Sequence, residues 1–165
     1  MKTFFDKICA GQNIDTSLVK GYTEAELEKI SRLYDINIQG DLKDFMVSMG
    51  RCSGGLLGDD VIVLYHGKWG IRGHLITQTG FRSKLVELKF YYGTKKPFLF
   101  SSIEENLDFF MLTNGESPYE VYCLNDSDNT IVSTGLSFLE YMQQLSNEHG
   151  GTYTGVTSAG DLLSI

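Results

Sequence analysis

Two helix starts, far apart in the chain, limit what this sequence can fold into. In Thr23-Glu24-Ala25-Glu26 the threonine hydroxyl and the glutamate three residues on are spaced to satisfy each other's orphan amides, a capping box. Leu27, Ile30, Leu33 and Tyr34 then recur at helical spacing and predict an amphipathic helix to about Tyr34. Ser137-Phe138-Leu139-Glu140 repeats the device, with Phe138, Leu139, Met142 and Leu145 as the apolar face. Between them the pattern changes to short apolar runs broken by turn residues. Helices at both ends and strands between predict an α+β domain, an antiparallel sheet flanked by several helices.

The remaining elements follow from the same periodicities. Residues 3 to 9 suit a short helix with Phe4, Phe5 and Ile8 on one face and Gly11 at its end. Asn13 to Gly21 reads as a connector. Asp41 can cap a helix to Met49 whose buried stripe is Leu42, Phe45, Met46 and Met49. Strands are expected at Val61 to Tyr65 and Ile71 to Thr77 around the turn-like His66 to Gly70, and at Leu85 to Tyr92. In the last, Val86, Leu88, Phe90 and Tyr92 alternate with Glu87, Lys89 and Tyr91. Two more fit Leu107 to Thr113 and Tyr119 to Leu124, joined through Asn114 to Pro118. The Gly, Ser and Thr content from Ser146 onward predicts a loosely held tail over 146–165. The 165 residues suit one domain, 1–165, and two prolines leave no proline-rich linker.

Hydrophobic content of 42% and aromatic content of 12% mark a globular chain. Asp6 and Lys7 interrupt any signal-peptide core, no apolar run is long enough to span a membrane, and a cytoplasmic protein is expected. Cys9, Cys52 and Cys123 are odd in number and widely spaced, which reads as reduced thiols.

Motifs that carry chemistry are incomplete. His66, His74 and His149 show no H-E-x-x-H spacing, so no metal site is expected. Asp126 to Thr130 begins like a calcium loop, but Ile131 stands where glycine is needed and Ser137 where a bidentate glutamate is needed. Gly67, Gly70 and Gly73 lack the following Lys-Ser or Lys-Thr of a phosphate loop. Ser17 to Lys20 matches S-x-x-K without its companion motifs. No catalytic residue and no cofactor are expected; a small hydrolase would have to bring His66 or His74 to a distant nucleophile.

Charge is the remaining clue. From Pro97 to Ile165 there are ten acidic residues and no Lys or Arg, whereas Arg51 to Lys96 carries eight basic residues against three acidic, within a chain of net charge −7. In the basic segment 66–96, Trp69, Phe81, Tyr91 and Tyr92 interleave with Arg72, Arg82, Lys84, Lys89, Lys95 and Lys96, the mix of a nucleic-acid stacking platform. An overall pI near 4.9 opposes a polyanion and an anionic membrane and favours a basic protein partner. Solubility alone, or a general protein-interaction or regulatory module, would use the same acids.

Thr23 to Gly55 resembles the opening of the SUKH superfamily, immunity proteins related to fungal cell-wall synthesis regulators. The resemblance lies in an acidic helix opened by Thr23, then Ile38-Gln39-Gly40-Asp41-Leu42-Lys43-Asp44-Phe45-Met46, then Met49-Gly50 and Gly54-Gly55. It extends to a strand with Tyr122, the acidic turn Asn125 to Asn129, Ile131-Val132, and the helix opening Ser137 to Met142. Gln39 replaces the family's usual proline and Met49 its usual asparagine, and residues 56 to 105 match no part of the pattern. The resemblance implies a SUKH-like domain without catalytic residues that neutralises a cognate bacterial toxin domain, expected to be a basic nuclease delivered by a neighbouring cell. The partner-binding candidates are Glu104, Glu105, Asp108, Glu116, Glu120, Asp126 and Asp128, with Tyr119 and Tyr122 as aromatic anchors.

Overall fold

The structure, a computed structural model, describes residues 3–9, 11, 16–57, 61–62, 71–104, 106–115 and 118–149. The helices are α1 (Phe4–Ile8), α2 (Glu24–Tyr34), α3 (Gly40–Met49), α4 (Ile71–Glu87) and α5 (Phe138–His149). The strands are β1 (Val61–Ile62), β2 (Pro97–Ile103), β3 (Leu107–Leu112), β4 (Glu120–Asn125) and β5 (Thr130–Ser137). They form one antiparallel sheet in chain order, β1 to β5, so the fold is an α+β domain.

Both expected capping boxes form. The Glu26 carboxylate accepts from the Thr23 N–H at 2.8 Å while Thr23 Oγ1 accepts from the Glu26 N–H. At α5 the Glu140 carboxylate accepts from the Ser137 N–H at 2.8 Å and Ser137 Oγ accepts in return. A third box, Thr3 with Asp6, opens α1. Asp41 does not cap α3: Gln39 holds that position without a side-chain bond, and Asp41 lies in the first turn. The strands expected at 107–113 and 119–124 appear as β3, which ends one residue earlier, and β4, which is shifted by one residue at both ends.

Apolar side chains cover the sheet on both sides. Phe98, Phe100, Met111 and Val121 face a core shared with α1, α2, α3 and α5, including Ile30, Phe45, Phe138 and Met142. Phe138 meets Phe45 and Phe100 edge-on at 5.5 and 5.1 Å, tying α5 to α3 and β2. On the other face Leu99, Phe110 and Leu124 pack under Phe81 and Leu85 of α4, with Leu88, Phe90 and Tyr92 of the following loop around them. Each fully buried Phe or Leu contributes about 1.5–3 kcal/mol of transfer free energy.

This second layer overturns two expected strands. Residues 71–77 belong to α4, and Leu85 to Tyr92 is the last turn of that helix followed by a loop. The side chains α4 buries include His74 and Gln78 as well as Phe81 and Leu85, so its inward face is half polar and lacks an apolar stripe. The alternation after Leu85 arises from a loop that turns at Lys89 (φ 57°) and lays its apolar residues over the sheet. Basic residues placed on strand faces by the sequence therefore lie on a helix and a loop. Of the strand expected at Val61 to Tyr65, Val61 and Ile62 form β1, and 63–70 lie outside the described residues. The loosely held tail expected from Ser146 is corrected for its first residues: 146–149 belong to α5, where Ser146 is buried and donates to the Ile8 carbonyl at 3.0 Å, and 150–165 lie outside the described residues.

Gln78 of α4 satisfies a buried stretch of the β2 backbone. Among the described residues β1 pairs with Ser101 and Ser102, and the Leu99 backbone finds its partner on α4. Gln78 Nε2 donates to the Leu99 carbonyl at 2.6 Å and its Oε1 accepts from the Leu99 N–H at 3.1 Å. One side-chain amide thus stands in for a strand backbone. Gln78→Leu leaves two buried backbone groups unsatisfied and is expected to cost about 2–4 kcal/mol in urea unfolding.

Two glycines make opposite predictions. A Cβ on Gly21 would lie 1.7 Å from the Val47 carbonyl oxygen, because this loop approaches α3 closely enough for the Tyr22 N–H to bond the Met46 carbonyl at 2.9 Å. Gly21→Ala is expected to destabilise by about 3 kcal/mol or more. A Cβ on Gly80, inside α4, would meet nothing, so Gly80→Ala is expected to stabilise by about 0.5–1 kcal/mol in the same assay.

Candidate partner-binding surface

The antiparallel register sorts the charges by sheet end. Ile103, Leu107, Asn125 and Thr130 lie side by side at one end, so the β2–β3 and β4–β5 turns are neighbours. The Asp126 N–H bonds the Asn106 carbonyl at 2.9 Å, and Asn106 Nδ2 donates to Ser127 Oγ at 2.8 Å. Glu104, Asp108, Asp126 and Asp128 are thereby brought to this one end. The opposite end, near Pro97 and Leu112, meets the loop carrying Lys95 and Lys96, whose carbonyls accept from the Asn114 and Thr113 N–H groups.

Each acid at the acidic end is held differently. Glu104 is exposed in the turn with a left-handed backbone (φ 55°). Asp108 is half-buried and accepts from Ser102 Oγ at 2.5 Å. Burial pushes its carboxyl above the ordinary range, against the Ser102 hydrogen bond and with help from the Asp126 charge. Asp126 pairs with Lys84 of α4 at 3.7 Å. Asp128 Oδ1 accepts from the N–H and hydroxyl of Thr130 at 3.1 and 2.6 Å, which fixes the start of β5. Between Lys84, Asp108 and Asp126 lies a shallow cleft of about 330 Å³ floored by Phe81 and Leu124.

The other candidates separate from this group. Glu120 lies at the far end of β4, where its carboxylate accepts from the Tyr122 hydroxyl at 2.7 Å and from the Ser133 hydroxyl of β5. Those two bonds, Ser133 first, hold its carboxyl below the usual range. The same bond to Glu120 pushes the Tyr122 hydroxyl up to about 12. Tyr122 stacks on Phe110 at 5.4 Å and is part of the second core, and Tyr119 is only 2% exposed, so neither is a free aromatic anchor. Glu105 and Glu116 lie outside the described residues. Sequence reasoning passed over Ser102, Asn106 and Ser133, which orient the acids, because a lone polar residue carries no periodic or motif signal.

The basic, aromatic segment does not assemble as a stacking platform among the described residues. Phe81 is buried against Phe110 at 5.0 Å. Arg82 Nη2 donates to the Tyr34 carbonyl at 2.6 Å and Lys96 pairs with Asp35 at 3.0 Å. Tyr91 is 89% exposed, and no ring contact joins it to another described aromatic side chain. His74 is buried edge-on to the Tyr34 ring at 6.5 Å. Burial, with the charges of Asp108 and Asp128, pushes the Cys123 thiol up and away from the reactive thiolate. Among the described residues no three His, Cys, Asp or Glu gather as a metal ion would require, and no helix is long and apolar enough to cross a membrane.

No protein-family model matches the chain, and neither curated proteins nor solved structures gave a match.

Asp108 offers a direct check on this geometry. Its carboxyl titrates above the ordinary range in the folded chain, so folding disfavours the ionised form. That penalty is fully present at neutral pH, begins to lift as pH falls through the folded value, and is gone below the ordinary carboxylate value, where both states are protonated. Asp108→Asn is therefore expected to melt higher than the parent at about pH 7, with the difference shrinking toward about pH 4. A variant that melts lower at neutral pH would show that the Ser102 hydrogen bond outweighs desolvation.

Proposed function

We propose that this protein is a cytoplasmic immunity protein that binds and neutralises a basic toxin domain, of nuclease type, through the acidic end of its sheet. The observation that carries the reading is the convergence of Glu104, Asp108, Asp126 and Asp128 on two adjacent turns. Among the described residues Lys84 is the one cation paired with any of them. The resemblance to SUKH proteins supports the same reading, as does the absence of a catalytic motif in the sequence. A nuclease presents a cationic groove to phosphate, and an acidic end accelerates encounter with such a groove and competes with its substrate.

The test uses the toxin domain encoded next to this protein, if its gene neighbourhood holds one, with growth and titration calorimetry as readouts. Co-expression is expected to restore growth, and the purified pair to form a stoichiometric complex. The association rate should fall about tenfold or more between low salt and about 0.5 M salt. Converting Glu104, Asp126 and Asp128 together to Lys is expected to slow association further at low salt while circular dichroism stays unchanged, since these side chains are exposed. Association at the parent's rate in that variant would remove the acidic end from the interface.

A further inference from the structure

β5 ends the sheet, pairing inward with β4 and with no described strand beyond it. Its eight residues, Thr130-Ile131-Val132-Ser133-Thr134-Gly135-Leu136-Ser137, contain no charge and no proline, two of the devices by which proteins blunt a sheet edge. A bulge at Gly135 (φ 72°) protects one end only. There the Gly135 N–H bonds Ser133 Oγ at 3.0 Å and the Leu136 N–H bonds Thr134 Oγ1 at 3.2 Å. At the other end Asp128 takes the Thr130 N–H. Residues 131–134 remain: one set of their alternating backbone groups completes the ladder to β4, and the other faces outward. Val132, at the centre, is 55% exposed.

Charge around this edge selects the occupant. Asp128 stands at its start, Glu120 is held against Ser133 at its middle, and Glu140 lies just past its end. No Lys or Arg of the described residues forms an ion pair with any of the three. A second copy of this chain would bring the same three acids and no cation, so pairing of two β5 edges sets like charges together.

We propose that β5 receives an extended segment of the basic protein partner as an added strand, with β-branched or small residues opposite Val132 and Lys or Arg at its flanks. Main-chain bonds to 131–134 supply affinity, and Asp128, Glu120 and Glu140 choose a cationic sequence. This rests on the proposed function, and supplies for it a docking element that charge alone does not.

The probe is a short peptide of alternating Thr and Val with Lys at both ends, read by fluorescence anisotropy and by amide hydrogen exchange. Binding is expected to slow exchange of the outward amides within 131–134 by about tenfold or more. It should be lost with a Glu-flanked peptide, lost in Val132→Lys and kept in Val132→Thr. Absence of binding, or binding with protection elsewhere, overturns the proposal. So does protection of these amides in the free monomer, which would mean the chain covers its own edge, or protection that grows with protein concentration, which would mean a second copy occupies it. The toxin complex separates the two proposals. If Val132→Lys binds the toxin as the parent does while the triple acidic variant does not, strand addition fails and the electrostatic reading stands. If the peptide docks at β5 but no basic toxin binds, the functional reading fails and the edge site stands.

Discussion

Phe110 and Met111 are neighbours in β3, point to opposite faces of the sheet, and are both fully buried. Burial on two faces is the constraint on which the rest of the molecule depends. A strand that is apolar on both sides needs a layer on each, and α1, α2, α3 and α5 can cover only one. The second cover is α4 and the loop behind it. Placing α4 there puts Gln78 against the backbone of Leu99, where its amide bonds both the carbonyl and the N–H. Arg82, from the same helix, reaches the carbonyls of Tyr34 and Pro97 and ties the C-terminal end of α2 to the start of β2.

Covering both faces also decides where a partner can touch the protein. The broad surfaces of the sheet are occupied, so its turn ends and the outer edge of β5 are what the sheet can offer. The antiparallel order sends the acids of two turns to one end and Lys95 and Lys96 to the other, converting a charge split along the chain into a charge split in space. At the acidic end the carboxylates are oriented by Ser102, Thr130 and Lys84, so they form a fixed pattern on a folded surface. Groups held in advance lose less freedom on binding, which favours recognition by charge.

Legibility in the sequence followed locality. The capping boxes at Thr23 and Ser137 were readable because the groups that satisfy each other are three residues apart. β3 and β4 were readable because their runs are bounded by turn residues. α4 was read as strand because Ile76, Thr77 and Thr79 favour strands, Gly73 and Gly80 weaken a helix, and its buried face carries His74 and Gln78 in place of an apolar stripe. β2 went unread because a strand buried on both faces does not alternate, and β5 because an edge strand rich in Thr, Ser and Gly resembles a turn. Of the candidate site, the acids were legible as a class from composition. Their grouping was not, nor was the burial of Tyr119 or the stacking of Tyr122 on Phe110, since both depend on strand register.

The amino-acid sequence by itself determined the helix starts, the α+β class, the sign of the charge on each third of the chain and the lack of a complete catalytic motif. These are local or compositional properties, set by spacing along the chain. Tertiary structure alone decided that α4 is a helix, that a glutamine amide bonds the Leu99 backbone, that four acids share one end of the sheet, and that β5 is the last described strand of the sheet. Each of those joins groups distant in sequence, and no local pattern encodes a contact whose two sides are set by burial and register.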